Sequence, residues 1–199
     1  MLEIHNLYGV ILASGSSTRL GWPKQQLLYQ GKSLIEHGID QLQPCLSTPI
    51  RLVLPPQFCQ EGAYPPDIVV VPNEQHQRGM STSIHAGINA IPPNATGVML
   101  CLCDQPLITS ADYANLITHW SENVSAIVAS YYSGTLGAPA IFPARYFSRL
   151  CSLNGDRGAR ALLENNPDVL SVPIPAAAVD IDTIEDVTST PGVSVPPIH

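Results

Sequence analysis

The fold is decided by residues 7–24, which read LYGVILASGSSTRLGWPK. The apolar run 7–13 does not alternate with polar residues, which is typical of a strand covered on both faces of a parallel sheet. The small residues 14–18 can turn sharply and direct successive backbone N–H groups at an anion. Arg19 and Lys24 then add two positive charges, one as a planar fork and one as a mobile ammonium. The stretch therefore predicts a buried strand that leads into a binding site for a triphosphate.

Two well-known phosphate-binding motifs do not fit this chain. The dinucleotide motif G-x-G-x-x-G fails because Ser17 stands where its second glycine belongs. The P-loop motif fails because Gln26 stands where its first glycine belongs, although residues 31–33 (GKS) match its end. Ser33 and Glu36 instead form a capping-box pattern, which predicts a helix. The apolar positions of that helix recur at helical spacing, at Ile35, Ile39, Leu42 and Leu46.

Strand-like and helix-like segments alternate along the chain. The strand-like segments are residues 7–13, 50–54, 67–71, 98–102 and 126–129. Helices are predicted to begin after Gly79 and Thr109, and a turn within residues 131–143 joins an extended pair. Short helices are predicted at residues 159–163 and 184–187. This alternation predicts an α/β fold, a Rossmann-like three-layer α/β/α sandwich with a mostly parallel sheet, whose ligands gather at the carboxyl ends of the strands.

Composition limits the class of protein. A chain of 199 residues can bury one large core, which we expect in a single domain over residues 1–188, followed by a flexible C-terminal tail at 189–199. A net charge of −7 with nine Lys and Arg residues argues against a nucleic-acid partner. The sequence shows neither a signal-peptide pattern nor an apolar run of about 18 residues, so we expect a cytoplasmic protein without a membrane partner. The five cysteines are expected to be reduced core thiols.

The phosphate loop carries a family resemblance. Residues 12–24 follow the pattern L-A-x-G-x-S-x-R-x-G-x-P-K and are soon followed by two leucines. This pattern resembles the signature of the MobA-like nucleotidyltransferases, and among them that of the molybdenum cofactor cytidylyltransferases. Four later segments resemble further signatures of the family in the same order: GMSTSI at 79–84, CDQP at 103–106, GDRGAR at 155–160 and DIDT at 180–183. The resemblance covers roughly residues 6 to 188.

The resemblance implies where a nucleotide binds. The first loop would hold it through the backbone of Leu12, Ala13, Gly15 and Ser16 and through the side chains of Arg19 and Lys24. The segment that begins at Gly79 starts a helix whose free N–H groups would face base or ribose, with Ser83 as its binding side chain. A lone Arg or Lys is usually a solvated surface charge, but two cations after such a loop favour phosphate binding.

The resemblance also implies a Mg²⁺ ion. Asp104 follows the predicted strand 98–102 and resembles the metal-binding aspartate of the family; its alternative role is to cap the turn. Asp180 and Asp182 alternate along a predicted strand and would point to one face. Asp182, directly before Thr183, is the second expected ligand, with capping of the next helix as its alternative role. Because Mg²⁺ keeps several waters, one or two carboxylates and substrate phosphates suffice.

The reaction implied by the resemblance is transfer of CMP from CTP to the phosphate of molybdopterin, with release of pyrophosphate. Catalytic roles would fall on Arg19, Lys24 and Asp104. The attacking phosphate is already ionised, so the protein needs to position groups, neutralise charge and hold metal rather than supply a general base. The expected partners are CTP or GTP, a molybdopterin-type acceptor, and a molybdoenzyme or its chaperone.

Alternatives remain open for both substrates. GTP or a sugar phosphate would fit the same fold, although residues 13–15 (ASG) depart from the guanylyltransferase pattern Leu-Ala-Gly-Gly and favour CTP. A non-catalytic nucleotide-binding accessory protein for molybdoenzyme maturation is a different class, and two retained metal carboxylates argue against it. Arg157 and Arg160 either meet an acidic acceptor or belong to a capped helix start. Ala138 stands where several relatives carry histidine.

Overall fold

The computed structural model describes residues 6–15, 20–156 and 158–196. Its strands are β1 (Leu7–Leu12), β2 (Leu28–Tyr29), β3 (Lys32–Ser33), β4 (Ile50–Leu54), β5 (Ile68–Pro72), β6 (Gly97–Leu102), β7 (Ile127–Tyr132), β8 (Thr135–Pro143), β9 (Val169–Pro173) and β10 (Val193–Ser194). Its α-helices are α1 (Leu34–Leu42), α2 (Met80–Asn89), α3 (Ser110–Glu122), α4 (Phe147–Cys151) and α5 (Ile184–Ser189). No helix within these ranges is long and apolar enough to cross a membrane.

Seven strands form the main sheet in the order β5-β4-β1-β6-β8-β7-β9. Strand β1 is parallel to both of its neighbours, β4 and β6, and β8 runs antiparallel to β6 and β7. The β7–β8 hairpin turns through Ser133 and Gly134, which both have positive φ, as a two-residue hairpin turn of this kind requires. The mostly parallel sheet predicted from the sequence is confirmed.

Helices cover both faces of this sheet. All six residues of β1 are buried. Leu7 and Ile11 pack in a cluster with side chains of α1 and α3, whereas Val10 and Leu12 pack in a second cluster with side chains of α2 and α4. Because successive residues of a strand face opposite sides, an unbroken apolar run requires this double cover. The three-layer α/β/α arrangement is therefore confirmed.

The predicted start of α1 is also confirmed. The Ser33 side chain accepts the backbone N–H of Glu36 at 3.2 Å, and the Glu36 carboxylate accepts that of Ser33 at 2.8 Å. Ile35 and Ile39, one helical turn apart, are buried against the sheet. Ser33 thus satisfies a free N–H of the helix.

Three short strands form a second sheet in the order β10-β2-β3. Val193 of β10 pairs with Tyr29 and packs against a small apolar cluster that contains Leu27 and Leu34. The sequence predicts a flexible tail at residues 189–199, and within that range the structure contains the two-residue strand Val193–Ser194. The strand is ordered because it finds an antiparallel partner and an apolar contact.

Candidate active site

The carboxyl ends of β1 and β6 lie side by side, because Leu12 is opposite Leu102 in the register of the two strands. Cys103, the first residue after β6, donates its N–H to the Leu12 carbonyl at 3.3 Å. Asp104 therefore leaves the sheet beside the loop that follows β1. The predicted metal ligand and the predicted phosphate loop meet at the edge where ligands of parallel sheets bind.

Residues 180–183 reach the same edge from the other end of the sequence. The Ile181 N–H donates to the Asp104 carbonyl at 2.9 Å, and the Ile181 side chain is buried in the cluster that supports the second sheet. This bond places Asp182 beside Asp104. The predicted strand at this position is wrong, because residues 180–182 belong to no strand and run as an irregular segment into α5.

The cap of α5 is formed by Thr183 and Asp186. Thr183 Oγ1 accepts the Asp186 N–H at 3.2 Å, and the Asp186 carboxylate accepts the backbone N–H groups of Asp182 and Thr183 at 3.0 and 2.7 Å. These bonds lower the pKa of the Asp186 carboxyl below its ordinary value, and the backbone N–H of Asp182 has the largest effect. The Asp182 side chain therefore does not serve as the helix cap, and its carboxylate makes contacts elsewhere.

Lys24 joins the two predicted metal ligands. Its Nζ donates to Asp104 Oδ2 at 2.7 Å and also to Asp182 Oδ1. The side chain of Lys24 is 11% exposed, that of Asp104 19% and that of Asp182 31%. Three residues far apart in the sequence thus form one charged cluster, which lies in a partly buried place rather than on an open surface.

The charge of Lys24 is secured by its partners. Burial by itself would lower the pKa of the ammonium, but Asp104 and Asp182 outweigh burial and raise that pKa above its ordinary value. Asp180 lies nearby, and burial together with the negative charges of Asp182 and Asp104 raises the pKa of its carboxyl. The cluster therefore holds a permanent cation within an excess of carboxylates.

The two carboxylates fit a divalent cation. Asp104 Oδ1 is buried and has no hydrogen-bond partner among the described residues. Asp104 and Asp182 already converge on one positive charge, the Lys24 ammonium. The described ranges contain no cluster of three or more His, Cys, Asp or Glu side chains suited to a metal. Two carboxylates completed by substrate oxygens and water are nevertheless a donor set that Mg²⁺ accepts.

The cysteine beside this cluster is not a candidate nucleophile. Burial raises the pKa of the Cys103 thiol to about 12, and the Asp104 charge acts in the same direction. The thiolate is the reactive form of cysteine, so Cys103 is inert at neutral pH. All five cysteines of the chain are free thiols.

The structure describes part of the predicted phosphate loop. Leu12 and Ala13 are buried, and their carbonyls accept hydrogen bonds from the Cys103 N–H and the Gln25 side chain. Gly15 is exposed, and among the described residues no atom lies within 4 Å of a Cβ placed on it, so these residues leave its backbone open to a ligand. The predicted contacts of Ser16 and Arg19 lie outside the described residues.

A buried network of polar side chains anchors the start of this loop. Ser14 and Ser83 share a hydrogen bond of 2.6 Å between their hydroxyls. The Asn73 amide donates to Ser14 at 3.3 Å, to Ser83 at 3.2 Å and to Thr82 at 3.0 Å. The network ties the loop after β1 to the first turn of α2. Ser83, predicted to contact nucleotide, is buried within the network. Asn73 begins the segment that resembles the family's second nucleotide-facing segment, and Ser14 fills a variable position of the first-loop pattern, so neither pattern assigned a contact to these two side chains.

Gly79 is required at the start of α2. Its φ of +106° and ψ of 171° lie in a region that only glycine readily adopts. A Cβ there would lie 2.5 Å from Asp156 Oδ1 and 2.8 Å from the Gly155 carbonyl carbon. The Ser81 N–H also donates to the Gly155 carbonyl at 3.1 Å. Two segments that resemble family signatures, 79–84 and 155–160, are therefore packed together.

We expect Gly79→Ala to destabilise the protein by about 1–3 kcal/mol and to weaken nucleotide binding, because the helix start has to shift away from residues 155–156. Urea unfolding and nucleotide titration measure the two effects. Gly62→Ala is the matched control, because Gly62 also has a positive φ but no atom within 4 Å of an added Cβ. Equal losses in the two variants would contradict a special role for the contact at Gly79.

Two further polar side chains, those of Gln105 and Tyr132, lie close to Asp104 in sequence or in space. Gln105 is buried and donates its Nε2 to the carbonyls of Ala138 and Ala177 at 3.2 and 2.9 Å. The Tyr132 hydroxyl lies against Gly137, where an added Cβ would be 2.2 Å from its oxygen. Burial raises the pKa of that hydroxyl, opposed by the nearby Arg160 guanidinium, so the phenol stays protonated.

The segment 155–160 contributes one described arginine, Arg160, which lies near Tyr132. Arg160 is exposed and donates to Thr135 Oγ1 at the end of the β7–β8 hairpin. It lies in the 3-10 helix Gly158–Leu162, where the sequence predicts a short helix at 159–163. Its exposed position is compatible with contact to an acidic acceptor. Arg157, the other arginine of the motif, lies outside the described residues.

Sequence comparison identifies similar proteins over most of the chain. The family model described as MobA-like NTP transferase domain matches residues 9–169. Purine catabolism protein PucB of Bacillus subtilis (strain 168) is 28% identical over 199 residues, and the match covers 90% of this chain and 93% of that protein.

Solved structures from mycobacteria are also similar. The Rv0371c homologue from Mycobacterium sp. strain JC1 superimposes with a TM-score of 0.79 at 28% identity, over 91% of this chain and 92% of that one. Rv0371C of Mycobacterium tuberculosis H37Rv in complex with manganese gives a TM-score of 0.73 at 25% identity, over 92% and 95% of the two chains.

Proposed function

The chain belongs to the MobA-like NTP transferase family, and we propose that it transfers CMP from CTP to the phosphate of molybdopterin and releases pyrophosphate. The observation that carries this proposal is the cluster of Lys24 with Asp104 and Asp182 beside the loop after β1. A cation and two carboxylates at one sheet edge are what a transfer between phosphates requires, because charge has to be neutralised on both the attacking and the leaving group.

The chain's own residues would position the two substrates. Lys24 and Arg19, which precedes it in the same loop, would bind the triphosphate as charge-assisted donors. Gly15 offers open backbone for a phosphate, and the network of Ser14, Asn73 and Ser83 holds the loop in place. The acceptor phosphate is ionised at neutral pH, so none of these residues has to remove a proton.

The proposed metal is Mg²⁺, held by Asp104 and Asp182. When bound, the metal would supply neutralisation of the charge that develops on the phosphates. The buried Asp104 Oδ1 would gain a partner that it lacks among the described residues. The complex of the mycobacterial Rv0371C with manganese supports a divalent cation in this family.

We place the acceptor site beside Asp104, at Gln105, Tyr132 and Arg160. A molybdopterin phosphate brings negative charge, and Arg160 is an exposed cation there. The Tyr132 hydroxyl is protonated, so it can donate a hydrogen bond to a polar ring of the acceptor or accept one from it. Ala138 stands where several relatives carry histidine, so a contact from that position is absent and Tyr132 and Arg160 are the proposed polar contacts.

We expect CTP to be preferred over GTP as the donor. The loop 13–15 (ASG) carries Ser14 where the guanylyl pattern Leu-Ala-Gly-Gly has its first glycine, and the Ser14 hydroxyl, bonded to Ser83, should shape the base pocket differently. The test offers CTP and GTP at equal concentrations together with molybdopterin and Mg²⁺, and mass spectrometry measures how much of each product forms. A product that carries mainly GMP would exclude the cytidylyl assignment while leaving the transferase assignment intact.

We expect Asp182→Asn to slow transfer and to raise the Mg²⁺ concentration needed for half-maximal rate. The melting temperature should fall only a little, because Thr183 and Asp186 still cap α5, Lys24 keeps its bond to Asp104, and asparagine retains an oxygen that can accept a hydrogen bond from the ammonium. A magnesium titration of the transfer rate measures the effect. Unchanged magnesium dependence would show that Asp182 is not a ligand.

A further inference from the structure

Lys24 occupies the point on which the two proposed metal ligands converge. Its Nζ donates to Asp104 Oδ2 at 2.7 Å and to Asp182 Oδ1, so the ammonium bridges two carboxylates that would otherwise repel each other. The side chain is 11% exposed, and bulk water therefore screens this contact less than a surface ion pair. A monovalent cation of the protein itself thus lies where the proposed function places a divalent one.

The backbone that carries this ammonium is anchored. The 3-10 helix Lys24–Gln26 is closed by the Gln26 N–H, which donates to the Pro23 carbonyl at 3.0 Å. The Gln25 side chain is bound to the Ala13 carbonyl, and Leu27 is fully buried. The ammonium can therefore leave the carboxylates only by rotation of the Lys24 side chain.

Two cations cannot occupy this point together. At separations of a few ångströms, like charges in a partly buried site repel strongly. Departure of the ammonium without a new partner would leave a charged group poorly solvated, which is costly. The oxygens of a triphosphate on the adjacent loop would provide that partner, and the carboxylates would then be free for a metal.

We propose that Lys24 is the resident cation of the metal position and that it makes metal binding depend on nucleotide. Without nucleotide, the ammonium holds Asp104 and Asp182 together and competes with a divalent cation. With a triphosphate bound, the Lys24 side chain transfers to phosphate oxygens and opens the position. This inference rests on the proposed function for the metal ligands and for triphosphate binding, but not on which base or acceptor is used.

The first test measures binding of Mn²⁺ alone to the full chain by electron paramagnetic resonance of the free ion. Removal of the competing charge in Lys24→Gln should tighten Mn²⁺ binding by at least about tenfold, since close charges in a partly buried site interact by more than 1.4 kcal/mol. Lys32→Gln is the matched control, because it removes an equal charge from the exposed pair with Asp40. Its affinity should stay within about twofold of wild type. Lys24→Gln that binds Mn²⁺ no more tightly than wild type would overturn the proposal.

A second test needs no change at Lys24. The chain contains two lysines, Lys24 and Lys32, so the Lys32→Gln protein carries a single lysine ammonium. Its ¹⁵N signal in a lysine-labelled sample should be unaffected by millimolar Mg²⁺ alone and should shift when Mg²⁺ and a non-hydrolysable CTP analogue are both present. A shift with Mg²⁺ alone, or no shift with any nucleoside triphosphate, would contradict the proposal. A shift with a different triphosphate but none with the CTP analogue would support the proposal and would argue against CTP as the donor.

Discussion

Nucleotidyl transfer by an Asp104→Asn protein is expected to fall to about a thousandth of the wild-type rate or lower. Asp104 directly follows β6, binds the Lys24 ammonium at 2.7 Å and keeps its second oxygen buried. Asparagine preserves the size of the side chain but replaces an anionic oxygen with an amide nitrogen, which neither binds a metal nor attracts an ammonium. Loss of one contact that stabilises the reacting charge costs about 10² to 10³ in rate, and here two are weakened.

The control for this variant is Asp40→Asn, which makes the same chemical change in an exposed carboxylate paired with Lys32. Its transfer rate should stay within about twofold of wild type. Circular dichroism and thermal melting check that both variants fold. Transfer by Asp104→Asn within about tenfold of the wild-type rate would exclude Asp104 as an essential ligand, since loss of such a contact costs more.

The second large effect is expected at Lys24. Lys24→Gln should slow transfer by about 10² to 10³, because the ammonium that would bind the triphosphate in the reacting complex is lost. The same variant is expected to bind Mn²⁺ more tightly in the absence of nucleotide. A lysine that merely supports the fold would lower both quantities, so the opposite signs distinguish the two roles.

The comparison for this variant is Lys32→Gln, which lowers the net charge by the same amount at an exposed position. Steady-state rates at saturating CTP and Mg²⁺ measure transfer, and urea unfolding measures stability. Wild-type transfer by Lys24→Gln would show that the triphosphate does not bind near residue 24.

The strands of the sheet could be predicted where their residues are buried on both faces. Strand β1 is buried at every position, and its apolar run is visible in the sequence. Strand β9 (Val169–Pro173) was missed, because Ser171 interrupts its apolar residues, whereas the other edge strand, β5, has the unbroken apolar run IVVV. The two-residue strands of the second sheet are too short to show any periodicity, which is why Val193–Ser194 was predicted to belong to a flexible tail.

The residues of the candidate site could be named from sequence, but their contacts could not. Lys24, Asp104 and Asp182 were each selected from motifs, with Lys24 assigned to phosphate and the aspartates to metal. Their meeting depends on the order of strands in the sheet and on the bond from Ile181 to the Asp104 carbonyl. The strand predicted at 180–182 does not form, because the Ile181 N–H bonds to the Asp104 carbonyl after the end of β6 and not to a neighbouring strand. No local pattern records contacts between residues so far apart in sequence.

Pyrophosphate release in the presence and absence of acceptor tests the proposed reaction most directly. The wild-type protein is supplied with Mg²⁺ and one of the four common nucleoside triphosphates, with or without molybdopterin. Pyrophosphate release is followed over time, and the masses of the products are determined by mass spectrometry. We predict that release is fastest with CTP, depends on molybdopterin, and yields a product heavier than molybdopterin by one CMP unit. The absence of pyrophosphate with every nucleotide and acceptor combination, under conditions in which the protein binds nucleotide, would contradict transfer and favour a nucleotide-binding accessory role.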